Sequence, residues 1–291
     1  MKVLNWKNRK KEPSIFFVRG QPKSGTNWVG RLLNLHPSIS IKGEFQFQRL
    51  FKEWEHSRSH RFSLLSRHPK ISDDHFYNLI KSIVFDVCGH LPLCGDRSPG
   101  PVQECILPEG KCIYISRDGR DVLVSWTFHA FRNQLHTEKE MKDKQKKFHI
   151  DHNYYEKNPH ELLSSEEYVR HLAKKWNDYI VSDFAIISDH NLQKLPIFHI
   201  KYEDLHKDIQ EFRDKLYLFL GVNPRLAEDL NFETKPGFGG RIDNTSFNRR
   251  GTPYAWCDYF NSEQLNWFME EAEEAIILQS NAKSGIVGRE N

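Results

Sequence analysis

The chain has little that would suit it to a membrane, a metal or an oxidising compartment. Its 291 residues contain no run approaching the ~18 apolar residues of a membrane span. The basic amino terminus, Met1 to Lys11, is followed by an apolar run that ends at Arg19, too short for a secretory signal, so Lys7 to Lys11 are expected to form a solvated tail. There are only five cysteines, at 88, 94, 105, 112 and 257. An odd number without a C-x-x-C pair suggests neither a disulfide framework nor a zinc site, and it fits a reducing, cytoplasmic setting. Charge of one sign is also scarce: a net charge of +3 is small for a general nucleic-acid binder. No repeat with a period of about 20–50 residues is visible, which removes solenoids and propellers. No linker divides the chain, and residues 1–291 are expected to form one domain.

Apolar residues make up 38% of the chain and aromatics 13%, a composition that places it among globular proteins. Segments rich in β-branched and aromatic residues, Ile15 to Val18, Lys111 to Ser116 and Pro196 to Ile200, lack polar alternation, as strands buried on both faces do. Ser38 to Phe45 suggests a further short strand ending at Gly43-Glu44. Between these, apolar residues at helical spacing mark helices after Asn27, from Ser72, from Ser165, from Ile209 and around Leu265 to Ile276. Cys94-Gly-Asp-Arg-Ser-Pro99 is expected to be a polar turn, and the residues after the last of these helices a polar tail. Residues 46–70 show no clean period. The pattern is α/β with a mainly parallel central sheet flanked by helices, and ligands are expected outside the carboxyl ends of the strands.

The chemistry concentrates in Ser14 to Trp28, which reads as strand, glycine-bearing turn and helix start. Such a turn aims backbone N–H groups and a positive helix end at one point, an anion site. Gly20 and Gly25 have the glycine spacing of a nucleotide-triphosphatase loop, G-x-x-x-x-G-K-[ST], but Thr26-Asn27 stands where that loop has its lysine. The lysine is instead Lys23, inside Pro22-Lys-Ser-Gly-Thr-Asn-Trp28. A second segment, the strand 111–116, delivers Arg117, with Ser125 eight residues later. That spacing can bring a guanidinium and a hydroxyl onto one phosphate. A third, Arg249-Arg250-Gly251, follows a glycine-rich stretch.

These motifs resemble those of the sulfotransferases that take a sulfuryl group from 3′-phosphoadenosine 5′-phosphosulfate (PAPS) and leave 3′,5′-adenosine bisphosphate (PAP). The resemblance covers roughly residues 14–260 and implies a P-loop-like sulfotransferase fold that needs no metal. It implies that Lys23, Ser24, Gly25, Thr26 and Asn27 hold the 5′-phosphosulfate. Trp28 and Tyr202 would approach the base, and Arg117, Ser125, Arg249, Arg250 and Gly251 the 3′-phosphate. Where the family carries a second glycine after the late basic pair, this chain has Tyr254-Ala255. The histidine that many cytosolic members place before the second motif is also missing; His90 lies five residues too early. His36-Pro37 through Gly43-Glu44 is instead similar to the tyrosylprotein branch, which makes Glu44 the candidate base, with Arg97 in place of that branch's lysine.

The implied acceptor is a hydroxyl or amine, on a small molecule in preference to a protein or carbohydrate. Neither nucleic acid nor membrane is an expected partner, and a homodimer is one option. A P-loop kinase or an anion-binding module without chemistry are the rival readings. Residues 127–164, with scattered histidines and lysines, are expected to be a lid or insertion over the site.

Overall fold

The computed structural model describes residues 13–102, 110–189, 195–231, 234–235, 237 and 242–287; the basic terminal tail and Cys105 lie outside them. The chain opens with β1 (Ser14–Arg19), α1 (Thr26–Leu33), β2 (Ile39–Ile41), α2 (Phe47–Ser59), α3 (Leu64–Arg67), α4 (Pro69–Cys88) and β3 (Leu93–Arg97). It continues through β4 (Lys111–Ser116), α5 (Gly119–Arg132), α6 (Lys139–Ile150), α7 (Tyr154–Lys157) and α8 (Glu166–Ser188). β5 (Ile197–Lys201), α9 (Tyr202–Lys207), α10 (Ile209–Leu220), α11 (Ser262–Asn281) and β6 (Gly285–Val287) complete it.

Six strands form one sheet in the order β2-β3-β1-β4-β5-β6. Every pairing is parallel except β5 with β6. Successive side chains of a strand point to opposite faces, and β1 shows the consequence. Ile15 and Phe17 enter one core layer with α4, α5, α8 and α11, while Phe16 and Val18 enter the other with α1, α9 and α10. All four are buried, and each contributes about 1.5–3 kcal/mol by leaving water. The doubly covered parallel sheet is the architecture that the apolar runs implied.

Two elements correct the sequence reading. Cys94 to Arg97 is no turn but most of β3, inserted between β1 and β2. Its turn-like residues fit a strand because of distant partners: a Cβ on Gly95 would lie 2.5 Å from the Phe16 ring, and the Asp96 carboxylate is neutralised by Arg19 at 2.7 Å. The residues after Asn281 include the edge strand β6, which pairs antiparallel with β5. Residues 46–70, without visible period, form α2 and α3.

Residues 127–164 contain the end of α5 and then α6 and α7, with Met141, Phe148, Tyr155, Leu162 and Leu163 buried in the larger core layer.

Candidate active site

The carboxyl ends of β1, β3, β4 and β5 open on one cavity of about 230 Å³, with residues after each strand in its wall: Pro22, Pro99, Arg117 and Tyr202. The turn after β1 is shaped by steric necessity. Gly20 has φ 150° and a Cβ there would meet the Ile115 carbonyl oxygen at 2.2 Å; Gly25, at φ 109°, would drive one to 2.7 Å from the Tyr202 ring. Lys23 itself adopts φ 75°, an uncommon conformation outside glycine that stores strain at functional turns. Gly25 is the N-cap of α1 and offers no side-chain cap, so the Thr26 and Asn27 amides at the helix start have no intrahelical acceptor, whereas Trp28 N donates to Gly25 O at 2.9 Å.

Lys23 is the electrostatic centre of this cavity. Its Nζ lies 3.9 Å from the centre of the Phe247 ring and has no hydrogen-bond partner among the described residues. Burial, then the charges of Arg132 and Arg117, push its pKa down to about 7. A buried cation without a counter-charge is costly, and an anion bound beside it removes that cost.

Arg117 is held as tightly as Lys23 is left open. Its guanidinium donates to Lys23 O at 3.3 Å and Thr252 O at 3.1 Å, lies 4.2 Å from the centre of the Tyr202 ring and stands 3.6 Å from the Asp121 carboxylate. Asp121 is a site residue that none of the sequence motifs singles out. Fully buried, it accepts from Tyr254 N at 2.8 Å and Trp256 N at 2.9 Å, clamping the late basic loop onto the start of α5. Burial raises its carboxyl above the usual range, against the pull of Arg117. Asp118 caps α5 through Arg120 N at 2.9 Å, and Arg120 lies over the Trp256 ring at 3.8 Å.

The remaining expected binding residues converge with two qualifications. Gly25, Thr26, Asn27, Trp28, Ser125, Tyr202, Arg249, Arg250 and Gly251 all line the cavity. Trp28 and Tyr202 meet at 5.3 Å between ring centres, Trp28 Nε1 donates to Thr234 O at 2.7 Å, and Tyr202 donates to Gly251 O at 2.7 Å. Ser24 is buried beneath the turn rather than in the wall, its Oγ without a partner among the described residues. Arg249 reaches the wall, but its Nη1 donates to Glu156 at 2.9 Å and Tyr259 at 2.9 Å while the group lies 4.1 Å from the centre of the Phe128 ring. Arg250 pairs with Asp258 at 2.5 Å.

Of the expected catalytic residues, Lys23 and Glu44 share the cavity and Arg97 does not. Glu44 is exposed at the rim, with Gln46 Nε2 at 3.4 Å. Arg97 is half-buried between α1 and the turn at Gly43: a Cβ on Gly30 would lie 2.8 Å from its Cδ, and one on Gly43 3.8 Å from its Nη2. Burial lowers its pKa and nearby Glu44 raises it. His90 ends α4, where it pairs with Asp86 at 3.0 Å, largely exposed and outside the cavity wall.

A different histidine is present in the wall. His129 lies one helical turn beyond Ser125 on α5, its ring 5.9 Å from that of Phe247. Burial, then Lys23 and Arg132, push its pKa down to about 4, so it is neutral at physiological pH. The signal for it was the i, i+4 relation to Ser125, hidden by the histidines scattered after it. Among the described residues no cluster of three or more His, Cys, Asp or Glu could hold a metal ion, and no helix is long and apolar enough to cross a membrane.

Residues 13–277 match the family model described as the sulfotransferase domain. No curated protein matches the chain. Among solved structures, mouse sulfotransferase SULT7A1 complexed with PAP is 19% identical, with 92% of this chain and 89% of that one covered at a TM-score of 0.47. Retinol dehydratase in complex with androsterone and inactive cofactor PAP is 18% identical over 91% and 81%, with a TM-score of 0.49. The sulfotransferase domain from the curacin biosynthetic pathway is 14% identical over 93% and 98%, at 0.41. With a family model spanning residues 13–277 of 291, the chain belongs to the sulfotransferase domain family.

Proposed function

We propose that the protein transfers a sulfuryl group from PAPS to a hydroxyl or amine of a small-molecule acceptor and releases PAP. The observation that carries this reading is the unpartnered Lys23 ammonium in a cavity also lined by Arg117, Ser125 and Arg250. Two anionic groups, one at each end of the donor, match the two sets of positive and hydroxyl groups. Lys23 and the amides of Gly25, Thr26 and Asn27 hold the 5′-phosphosulfate, with Ser24 supporting the turn from beneath. Arg117, Ser125, Arg250 and the Gly251 backbone hold the 3′-phosphate, with Arg249 bracing their loop through Glu156. Trp28 and Tyr202 face the base.

The acceptor oxygen or nitrogen attacks sulfur as the bond from sulfur to the phosphate oxygen breaks. Negative charge grows on that phosphate oxygen, and Lys23 stabilises it where it develops, the interaction most useful to the rate. The acceptor's proton passes to Glu44. Arg97 adds positive charge near Glu44 from outside the cavity. Lysine and arginine thereby take the role that Mg²⁺ has in phosphoryl transfer.

The same proposal takes residues 1–291 as one domain and residues 127–164 as a cover over the pocket, braced by the bond from Glu156 to Arg249. It places the enzyme in the cytoplasm, in keeping with free thiols at Cys88, Cys94, Cys112 and Cys257. The test is calorimetric titration with PAP and with ATP–Mg²⁺, followed by turnover of labelled PAPS against small alcohols and amines. PAP binding in preference to ATP–Mg²⁺, with label passing to an acceptor, is the expected result. Tighter binding of ATP–Mg²⁺, or no label transfer to any acceptor, refutes the reading.

A further inference from the structure

A second cavity, of about 230 Å³, adjoins the first and shares Pro22, Pro99 and Trp126 with it. None of the nucleotide-binding roles falls within its own walls. One wall is the segment Pro99-Gly100-Pro101 after β3; the others are the α5 face of Val122, Leu123 and Trp126 and the α8 face of Leu172, Trp176 and Tyr179.

The proline wall is pinned at both ends. Gly20 and Gly100 exchange backbone hydrogen bonds at 3.2 and 3.0 Å, and Val102 N donates to Asp183 at 2.9 Å. Opposite it, Gly119 lets α5 approach Trp176 so closely that a Cβ would lie 2.4 Å from the indole. The cavity is therefore preformed, its walls held in place by these contacts.

Its chemistry is selective. Among the described residues no aspartate or glutamate lines it, and the one cationic side chain there is the exposed Lys175. Two buried polar atoms in its wall residues, Trp176 Nε1 and Gln21 Oε1, have no partner among the described residues. An ammonium would find no counter-charge there and would meet Lys175. A sugar or peptide would bury more polar groups than these two atoms and the Tyr179 hydroxyl can satisfy, at a cost for each one left unpaired. A flat, neutral, largely apolar molecule fits prolines and tryptophan faces and can use one donor and one acceptor.

We propose that this cavity is the acceptor site and that it selects neutral, ring-bearing alcohols over amines, glycans and peptides. This rests on the sulfuryl-transfer reading above, because only that reading makes the shared wall beside Lys23 the place of reaction. The ring system lies between Trp126 and Trp176, and the hydroxyl passes the Pro22–Pro99 wall towards Lys23.

The test is calorimetry on the full chain saturated with PAP, using a matched pair of probes, 2-(2-naphthyl)ethanol and 2-(2-naphthyl)ethylamine. The alcohol should bind at least tenfold more tightly than the amine. Leu172→Trp, which fills the cavity from α8, should weaken the alcohol at least tenfold and leave PAP within twofold. On the wild-type chain, titration with the alcohol should shift the Trp176 indole N–H resonance, identified with Trp176→Phe, so the outcome does not depend on how Leu172→Trp folds. Equal binding of alcohol and amine, no alcohol binding, or an unmoved Trp176 resonance overturns the assignment. If PAP itself fails to bind the wild type, it is the sulfuryl-transfer reading that falls.

Discussion

Binding of the product nucleotide should draw a proton out of solution, because the ligand-free site holds Lys23 at a pKa of about 7 against its ordinary 10.5. The causes are burial and the neighbouring Arg132 and Arg117 charges; a phosphate group beside Nζ opposes all of them and returns the lysine to its charged form. With a free-site pKa near 7, uptake attributable to Lys23 is about half a proton at pH 7 and about nine-tenths at pH 8. PAP affinity should then fall about tenfold per pH unit above pH 7, up to a total of about 5 kcal/mol if the bound lysine recovers its full basicity. Stability of the free chain moves the other way. The burial penalty is fully present below about pH 7, where Lys23 is charged whether folded or not. It is relieved as pH rises towards 10.5, where the unfolded chain still holds a proton the folded one has shed. Titration calorimetry in buffers of different ionisation enthalpy counts the protons. The phosphates of PAP themselves titrate near pH 6, so the measured quantity is wild type minus Lys23→Met. A difference of zero at pH 8 would refute the account of Lys23 as a desolvated cation awaiting an anion.

Arg117→Ala removes charged hydrogen bonds worth about 1.5–3 kcal/mol and should weaken PAP at least tenfold, with adenosine 5′-phosphosulfate affected far less; equal losses for the two ligands would take the 3′-phosphate away from Arg117. Ser125→Ala should show the same selectivity at smaller size, read in the same titrations. Glu44→Gln should keep PAP affinity within a few-fold and lower turnover about a hundredfold or more, the usual scale of general-base loss, and unchanged turnover would move the proton acceptor elsewhere, with His129 next in the wall. Gly25→Ala combines a positive φ with a 2.7 Å approach to Tyr202, so both PAP binding and the melting temperature should drop, and a variant with wild-type values for both would show that the turn is free to rearrange.

The parts of this protein legible in its sequence are those whose causes are local. The turn from Gly20 to Trp28 carries its own glycines, its lysine and its helix start within one stretch, and the eight residues from Arg117 to Ser125 are one strand exit and the first helix turns. The apolar runs of β1, β4 and β5 announce strands because each is buried on both faces. What stayed hidden depends on partners far along the chain. Gly95 and Asp96 look like a turn until Phe16, Ile41 and Arg19 are placed around them, and no window of sequence contains both sides of that arrangement. Asp121 likewise looks like one more charge at a helix start until the Tyr254 and Trp256 amides arrive.

The same distinction separates the two halves of the proposed chemistry. Donor recognition needs charge at short fixed spacings, so it leaves motifs. The proposed acceptor chamber is built from single residues of α5 and α8 and the turns after β1 and β3, elements that meet only in the folded chain, and apolar packing admits many residue types of similar volume. The stretches with least pattern, residues 46–70 and 127–164, are the natural place to look for it, and none of their described residues lines it. Yet Leu172 and Trp176 stand on α8, whose rhythm already accounted for them as ordinary core-facing positions. A helix can spend one stripe of apolar residues on the core and an adjoining one on a ligand, and the sequence period is the same for both. What the structure adds is a wall in which, among the described residues, Lys175 is the one charged side chain, and it acts through what the cavity would refuse.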